Sequence, residues 1–416
     1  MAGASKESRV KFSRIFSALF LVATSAQTLA NTQAGDIPPH DPQAFAACLQ
    51  ALHTKAQQQG LGDQSLAAID KLSYVPRVIE LDRNQPEFTQ TFEGYFSKRI
   101  NDWRVQQGRK MFKEQGPLLK KLQREYGIPP QYLLAFWGLE TNFGAYKGKM
   151  PVLDSLATLA CDARRSEYFT SELLTALALA ERNKLQPDAL IGSWAGAMGH
   201  TQFMPSAYSK YAKDGDGDGR ADLIGSVPDA LTSAANFLMH LGWQRNERWG
   251  REVALPKKFD FSQVGRDHKL PLADWAAKGV TLPSGKPLPV ADMKAALYLP
   301  AGHKGPAFIG YSNFDVIMRW NRSEFYAIAV GHLADRINGA VALTVAPPVQ
   351  PVRSRASLKA LQDKLNTLGF DAGKADGVLG AKSLAAIRAF QQSKGLIADG
   401  FADDATFEAL GLLHTE

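Results

Sequence analysis

Apolar residues recur three and four positions apart along most of the chain between Asp41 and Phe325, and this spacing predicts a mainly α protein. In "PQAFAACLQALHTKAQQQG" the pattern runs to Gly60, where a helix should stop. "GPLLKKLQREYGIPPQYLLAFWGLETNFG" predicts one helix from Pro117 to Tyr126, a break at Gly127, and a second helix entered at Pro129 or Pro130. Proline suits a first turn because its missing N–H would be unpaired there anyway. "SEYFTSELLTALALAERNKL" and "SVPDALTSAANFLMHLGW" predict two more helices. From Arg251 to Pro306 the rhythm breaks into short runs such as "KGVTLPSGKPLPV" and "AALYLPAG", which predict a small strand-rich insertion. Helical spacing returns at "SEFYAIAVGHLADRI". Residues 346–356, "APPVQPVRSRA", carry three prolines and no period, as a semi-rigid linker does. Residues 357–416 form a separate unit with Leu, Ile and Phe at helical spacing between the turns "ADGVLG" and "IADG".

A chain of 416 residues has room for two or three domains, each with its own core. The first thirty residues stand apart from them. A basic head (Lys6, Arg9, Lys11, Arg14), an apolar stretch from Ile15 to Ala23 and the small-residue end "AQTLA" have the layout of a secretory signal peptide. The expected organisation is a leader over 1–30, a main helical domain over 31–345, the linker, and a C-terminal domain over 357–416. No later stretch reaches the roughly 18 apolar residues of a membrane span, so a soluble, periplasmic protein is expected. Removing the leader takes away four bases and one acid and lowers the formal charge from +7 to about +4. With no basic stripe of interleaved aromatics, that excess argues against nucleic acid and suits an anionic polymer outside the cytoplasm. Export into an oxidising compartment makes Cys48 and Cys161 a candidate disulfide, the alternative being two free thiols.

Three stretches carry chemistry. In "LLAFWGLETNFGAYKG" a single carboxylate, Glu140, sits among aromatics near the end of a predicted helix, with Phe136 and Trp137 one turn before it and Phe143 one turn after. Apolar surroundings and the negative end of the helix dipole both favour the protonated form, so Glu140 is a candidate general acid. In "GSWAGAMGHTQFMPSAY" the three glycines from Gly192 to Gly199 let a ligand approach the backbone, while Ser193, Thr201 and Gln202 offer hydrogen bonds to sugar hydroxyls and acetamides. In "DGDGDGRAD" acids fall at positions 1, 3, 5 and 9 of a calcium loop (Asp214, Asp216, Asp218, Asp222), with Gly219 at position 6 and the carbonyl of Arg220 at position 7. Position 12 is Gly225 instead of a glutamate, and Asp229 at the next helix start is the candidate to reach back. A structural Ca2+ is expected, and no organic cofactor.

"GLETNFG", "DSLATLA", "DARRSEYF", "GSWAGAMGHTQFMPSAY" and "YSNFDVIMRWN" resemble, in this order, the successive motifs of the lytic murein transglycosylase B family across roughly residues 40 to 340. The resemblance implies a lysozyme-like α-helical catalytic domain with Glu140 as its sole acid/base. It further implies substrate contacts from Ser193, Gln202, Tyr311 and Asn313, and from Arg164 and Arg165, whose guanidinium forks suit the carboxylates of a lactyl group and stem peptide. His200, Thr201 and Phe237 depart from the family's usual residues. The last unit resembles a three-helix peptidoglycan-binding domain through "LQDKL", "DGVLG", "AIRAFQ" and "DGFAD", which implies a wall anchor that raises local concentration.

Glycosidases usually need two carboxylates, and the nearest possible partners of Glu140 are Asp154 and Asp162. With neither an obvious second acid, the expected reaction is cleavage of the MurNAc-GlcNAc β-1,4 bond assisted by the substrate's own N-acetyl group, closing to 1,6-anhydro-MurNAc. The alternatives are a hydrolytic muramidase of the same fold and a non-catalytic wall-binding protein. Expected partners are peptidoglycan glycan strands and stem peptides, with other cell-wall enzymes as candidates.

Overall fold

Helix boundaries follow the punctuation of the sequence. The computed structural model describes residues 41–84 and 90–413; the expected leader lies outside the described residues. The side chain of Asp41 accepts the N–H groups of Gln43 and Ala44 at 2.9 and 3.2 Å and caps the helix Pro42–Gln58. Gly127 ends Gly116–Tyr126 in the left-handed region, and Pro130–Thr141 follows at once. Ser166–Arg182, Val227–His240 and Glu324–Ile337 fill the other predicted stretches.

One hydrophobic core surrounds Pro130–Thr141 and Glu324–Ile337 and buries Phe136, Trp137, Trp249 and Phe314. A second packs Val152–Ala160 against Ser166–Arg182, with Leu156, Leu173, Leu177, Met198 and Phe203 inside. The insertion is an antiparallel sheet in the order Gly250–Val253, Ala307–Gly310, Lys294–Tyr298, Leu270–Pro271, so its second strand runs past the expected end at Pro306. Ala296, Tyr298 and Phe308 face the first core, whereas Ala295, Leu297 and Ile309 face a separate cluster around Trp275. Both faces are therefore covered, which is why these strands read as continuous apolar runs.

The C-terminal unit holds three helices, Arg355–Thr367, Ala381–Ser393 and Asp404–Ala409, around Leu361, Leu365, Ile387, Phe390 and Phe407. Its first helix begins at Arg355, inside the stretch expected to be linker, because Ser354 caps it by accepting the N–H of Ser357 at 3.0 Å. Among the described residues no helix is long and apolar enough to cross a membrane.

Cys48 and Cys161 form a disulfide with Cα atoms 5.8 Å apart, tying the helix Pro42–Gln58 to the end of Val152–Ala160 across a separation of 113 residues. Closing so long a loop restricts the unfolded chain, and replacing both cysteines with serine should cost about 3–5 kcal/mol. Thermal melting measures this. An unchanged melting temperature would mean that packing alone holds these helices together.

Candidate active site

Glu140 sits half-buried in the last turn of Pro130–Thr141. Two donors converge on one of its oxygens: Trp320 Nε1 donates to Oε1 at 3.1 Å and the Tyr326 hydroxyl donates to the same atom. Among the described residues no hydrogen bond reaches Oε2. A proton on the carboxyl therefore belongs on Oε2. Phe136 backs both donors, its ring 4.5 Å from that of Trp320 and 6.2 Å from that of Tyr326. Burial pushes the Glu140 pKa up to about 7, against the lowering effect of the Tyr326 and Trp320 hydrogen bonds and of the Arg99 charge. A carboxyl titrating there can give and take a proton near neutral pH.

The chain leaves this helix through Asn142, Phe143 and Gly144, with φ of 50°, 60° and 84°. The helix ends before Phe143, so this ring is not one turn further along the same face as the spacing suggested. It folds back on Gly138, where a Cβ would come within 2.6 Å of the ring. Buried Arg104 holds the turn: it donates to Gly138 O at 3.1 Å, to Asn142 Oδ1 at 2.6 Å, and to the carbonyls of Lys98 and Arg99. Arg99 in turn lies with its guanidinium 3.7 Å from the centre of the Tyr95 ring, close enough for its charge to act on Glu140.

The glycine-rich loop docks on the acid helix. Trp137 Nε1 donates to His200 Nδ1 at 3.1 Å, and Thr141 Oγ1 donates to His200 O at 2.7 Å. Burial pushes the His200 pKa down to about 4, so the ring is neutral and its Nδ1 can accept. Gly199, at φ 75°, has no room for a side chain, since a Cβ would meet Leu223 O at 2.4 Å. Gln202 Nε2 donates to Lys147 O at 3.1 Å and to Gly199 O at 3.0 Å. Ser193 Oγ accepts Ala197 N at 3.0 Å within its own turn. Both residues stay part-exposed, and the Trp320 ring beside Glu140 packs on Phe203 and Phe237 at 5.4 and 5.2 Å.

Other expected residues stand elsewhere. Asn313 is fully buried and spends its amide on the turn at 244–247, donating to Gln244 O and Glu247 O and accepting Gln244 N at 2.7 Å. Tyr311 is buried in the sheet's own cluster under the Arg251 guanidinium. Both side chains are buried, and the amide of Asn313 is engaged within the protein. Arg164 and Arg165 both bond to Asp82, itself 1% exposed and also paired with Arg83. Their side chains remain about 40% exposed. Asp154 accepts Ser73 N at 2.6 Å, and Asp162 is paired with Arg83 at 2.6 Å, so both potential second acids are engaged. In the acidic loop, ligand atoms of Asp214, Asp216 and Asp229 lie within 4.8 Å of one another. Asp218 is outside that group and accepts Arg220 N at 2.8 Å.

Trp320 and Tyr326 are the functional residues that sequence reasoning missed. Both lie in "RWNRSEFYA", just where an apolar helix pattern resumes. Their signal was a polar tip on each of two aromatics bound for a core, since a buried indole N–H or phenol O–H must find an acceptor.

A helical core, a lone carboxyl at the end of one helix and a glycine-rich loop against it define a lysozyme-like fold and site. The family model for the transglycosylase SLT domain matches residues 44–335, and that for the peptidoglycan binding domain matches residues 354–410. The chain belongs to the SLT transglycosylase family. It is 36% identical over 249 residues to the membrane-bound lytic murein transglycosylase B of Escherichia coli K12, covering 58% of this chain and 66%, just under two thirds, of that protein. The crystal structure of SltB3 from Pseudomonas aeruginosa in complex with NAG-anhNAM-pentapeptide is similar at TM-score 0.85 and 39% identity, over 89% of this chain and all of that one. The Escherichia coli lytic transglycosylase Slt35 in complex with calcium is similar at TM-score 0.60 and 31% identity, over 70% of this chain and 92% of that one.

Proposed function

We propose that this protein cleaves the MurNAc-GlcNAc β-1,4 bond of peptidoglycan by intramolecular transglycosylation, with Glu140 as both acid and base. The observation that carries the reading is the half-buried carboxyl whose two donors meet on Oε1 and, among the described residues, leave Oε2 without one. Protonated Glu140 donates to the glycosidic oxygen, which leaves with the departing sugar. The N-acetyl carbonyl oxygen of the muramoyl residue attacks its own C1. Glu140, now a carboxylate, takes the proton of the C6 hydroxyl as that oxygen attacks C1 and displaces the acetamido oxygen, which restores the acid. The engagement of Asp154 and Asp162 supports this over a two-carboxylate route.

Ser193 and Gln202 are the sugar contacts in this reading, and the exposed edges of Arg164 and Arg165 meet carboxylates of the lactyl group or stem peptide. The C-terminal domain holds the wall, and the reaction takes place in the periplasm after leader removal. Mass spectrometry of a peptidoglycan digest should find anhydro ends; reducing-end hydroxyl products would point to the hydrolytic muramidase instead.

Calcium fits the acidic loop: three carboxylates converge with no cation partner among the described residues, and Asp229 ties the loop to the helix Val227–His240 by accepting Gly215 N and Asp222 N. The ion would be held by Asp214, Asp216 and Asp229 and would brace the loop that leads from the glycine-rich segment. At a hundredfold excess over its Kd, calcium should stabilise the fold by about 2.7 kcal/mol. Melting curves with calcium and with chelator check this, and Asp214→Asn should abolish the difference.

A further inference from the structure

Three residues that flank Glu140 on both sides in the sequence meet a single residue of the glycine-rich loop. Trp137, one turn before the acid, donates its indole N–H to His200 Nδ1 at 3.1 Å, with the two ring centres 5.7 Å apart. Thr141, the residue after the acid, donates to His200 O at 2.7 Å and accepts Gly144 N at 3.0 Å. Gly144 faces the imidazole, since a Cβ there would come within 2.4 Å of His200 Nδ1. Trp137, Thr141 and His200 are all buried. The bond from Thr141 goes to the main chain and would survive any side chain at position 200. The imidazole adds the acceptor for the Trp137 N–H, a buried donor whose loss of a partner would cost about 1–3 kcal/mol. Burial keeps the ring neutral, and with Nδ1 accepting, its proton sits on Nε2.

The loop behind His200 is tied at several points. Met198 and Phe203 exchange both main-chain hydrogen bonds, at 2.9 and 3.0 Å, and so close the turn that carries His200. Ser193 N donates to Ala197 O at 2.7 Å, and His200 N donates to Leu223 O at 2.9 Å. Gln202 sits at φ 49° with its amide N–H groups on Gly199 O and Lys147 O. A shift at His200 is therefore passed on to Ser193 and Gln202 and is not absorbed within the turn.

We propose that His200 is a positioning residue for the reaction at Glu140: through its Nδ1 bond to Trp137 it sets the gap between the carboxyl and the loop residues that hold the sugar. The proposal rests on the reading of Glu140 as the acid and of Ser193 and Gln202 as sugar contacts. Its consequence is a split between binding and turnover. Substrate held on the loop keeps its contacts when the loop shifts, so KM stays. The glycosidic oxygen meanwhile moves out of line with the carboxyl, and a displacement of about 1 Å costs about a hundredfold in kcat.

Steady-state cleavage of soluble, un-cross-linked peptidoglycan strands by the full chain tests it, with rates normalised to the folded fraction by circular dichroism. His200→Leu fills the slot without an acceptor and should lower kcat about ten- to a hundredfold, with KM within about twofold of wild type. His200→Asn, whose Oδ1 stands at the level of Nδ1, should recover most of the loss. His200→Gln, whose acceptor reaches only the level of Nε2, should not. Trp137→Phe should lower kcat as far as His200→Leu does, and the double variant no further, because both remove the same bond. In wild-type protein labelled with 15N-histidine, the ring signal that His200→Asn lacks should show the proton on Nε2. A kcat per folded molecule unchanged in His200→Leu, equal recovery by asparagine and glutamine, additive losses in the double variant, or a proton on Nδ1 would each overturn the proposal. A purely structural role would lower the melting temperature and leave that kcat alone. Failure of the catalytic reading has a separate readout, since reducing ends would replace anhydro ends among the products whatever the His200 variants do.

Discussion

Glu140→Gln should reduce release of anhydro products by about a thousandfold or more, because one group serves as acid in one step and base in the next. The same substitution should make the protein more stable at neutral pH. The folded state holds the Glu140 proton up to a pKa of about 7, while the unfolded chain releases it near the ordinary glutamate value of about 4.5. Between these values the native state binds more protons than the unfolded state, so stability falls as pH rises through this window. The loss is at most about 3 kcal/mol, and less where water reaches the half-buried carboxyl. Glutamine does not titrate, and it keeps the side-chain shape and an acceptor oxygen in place of the Oε1 that Trp320 and Tyr326 grip. Denaturant unfolding at pH 4.5 and 8 measures both proteins: the variant should lose this share of the pH dependence. A variant that still lysed peptidoglycan near the wild-type rate would remove Glu140 from the mechanism.

Local features were legible where one stretch of chain decides them. Proline at the entry of Pro130–Thr141 and glycine after Tyr126 fix helix ends through φ alone, so these boundaries could be read from the sequence. Glu140 stood out for the same reason, as one acid inside an aromatic helix. What surrounds it was not legible, because its two donors arrive from 180 and 186 residues further along. Asn313 drew attention as a polar residue in a motif, yet its amide is what closes the turn at 244–247. Trp320, seven residues on, reads as core until a partner for its N–H is sought. Arg164 and Arg165 look like free cations until Asp82, about eighty residues away, is folded against them. The insertion strands hid their alternation because each face is covered by a different cluster.

Tyr326→Phe should move the pH dependence of lysis as well as its rate. Tyr326 donates to Glu140 Oε1 and, together with Trp320 and the Arg99 charge, lowers a pKa that burial raises. Removing the hydroxyl takes away a donor to the anion, so Glu140 should hold its proton to higher pH. The alkaline limb of the rate profile, expected near 7 in the wild type from loss of the acid's proton, should shift upward. The maximal rate should fall by about ten- to a hundredfold, since the carboxylate formed after proton donation loses a charge-assisted hydrogen bond. Trp320→Phe should shift the limb in the same direction. A structural role alone would lower the rate without moving the limb, and a limb that stayed near 7 in Tyr326→Phe would mean that the hydroxyl supports packing and does not tune the acid.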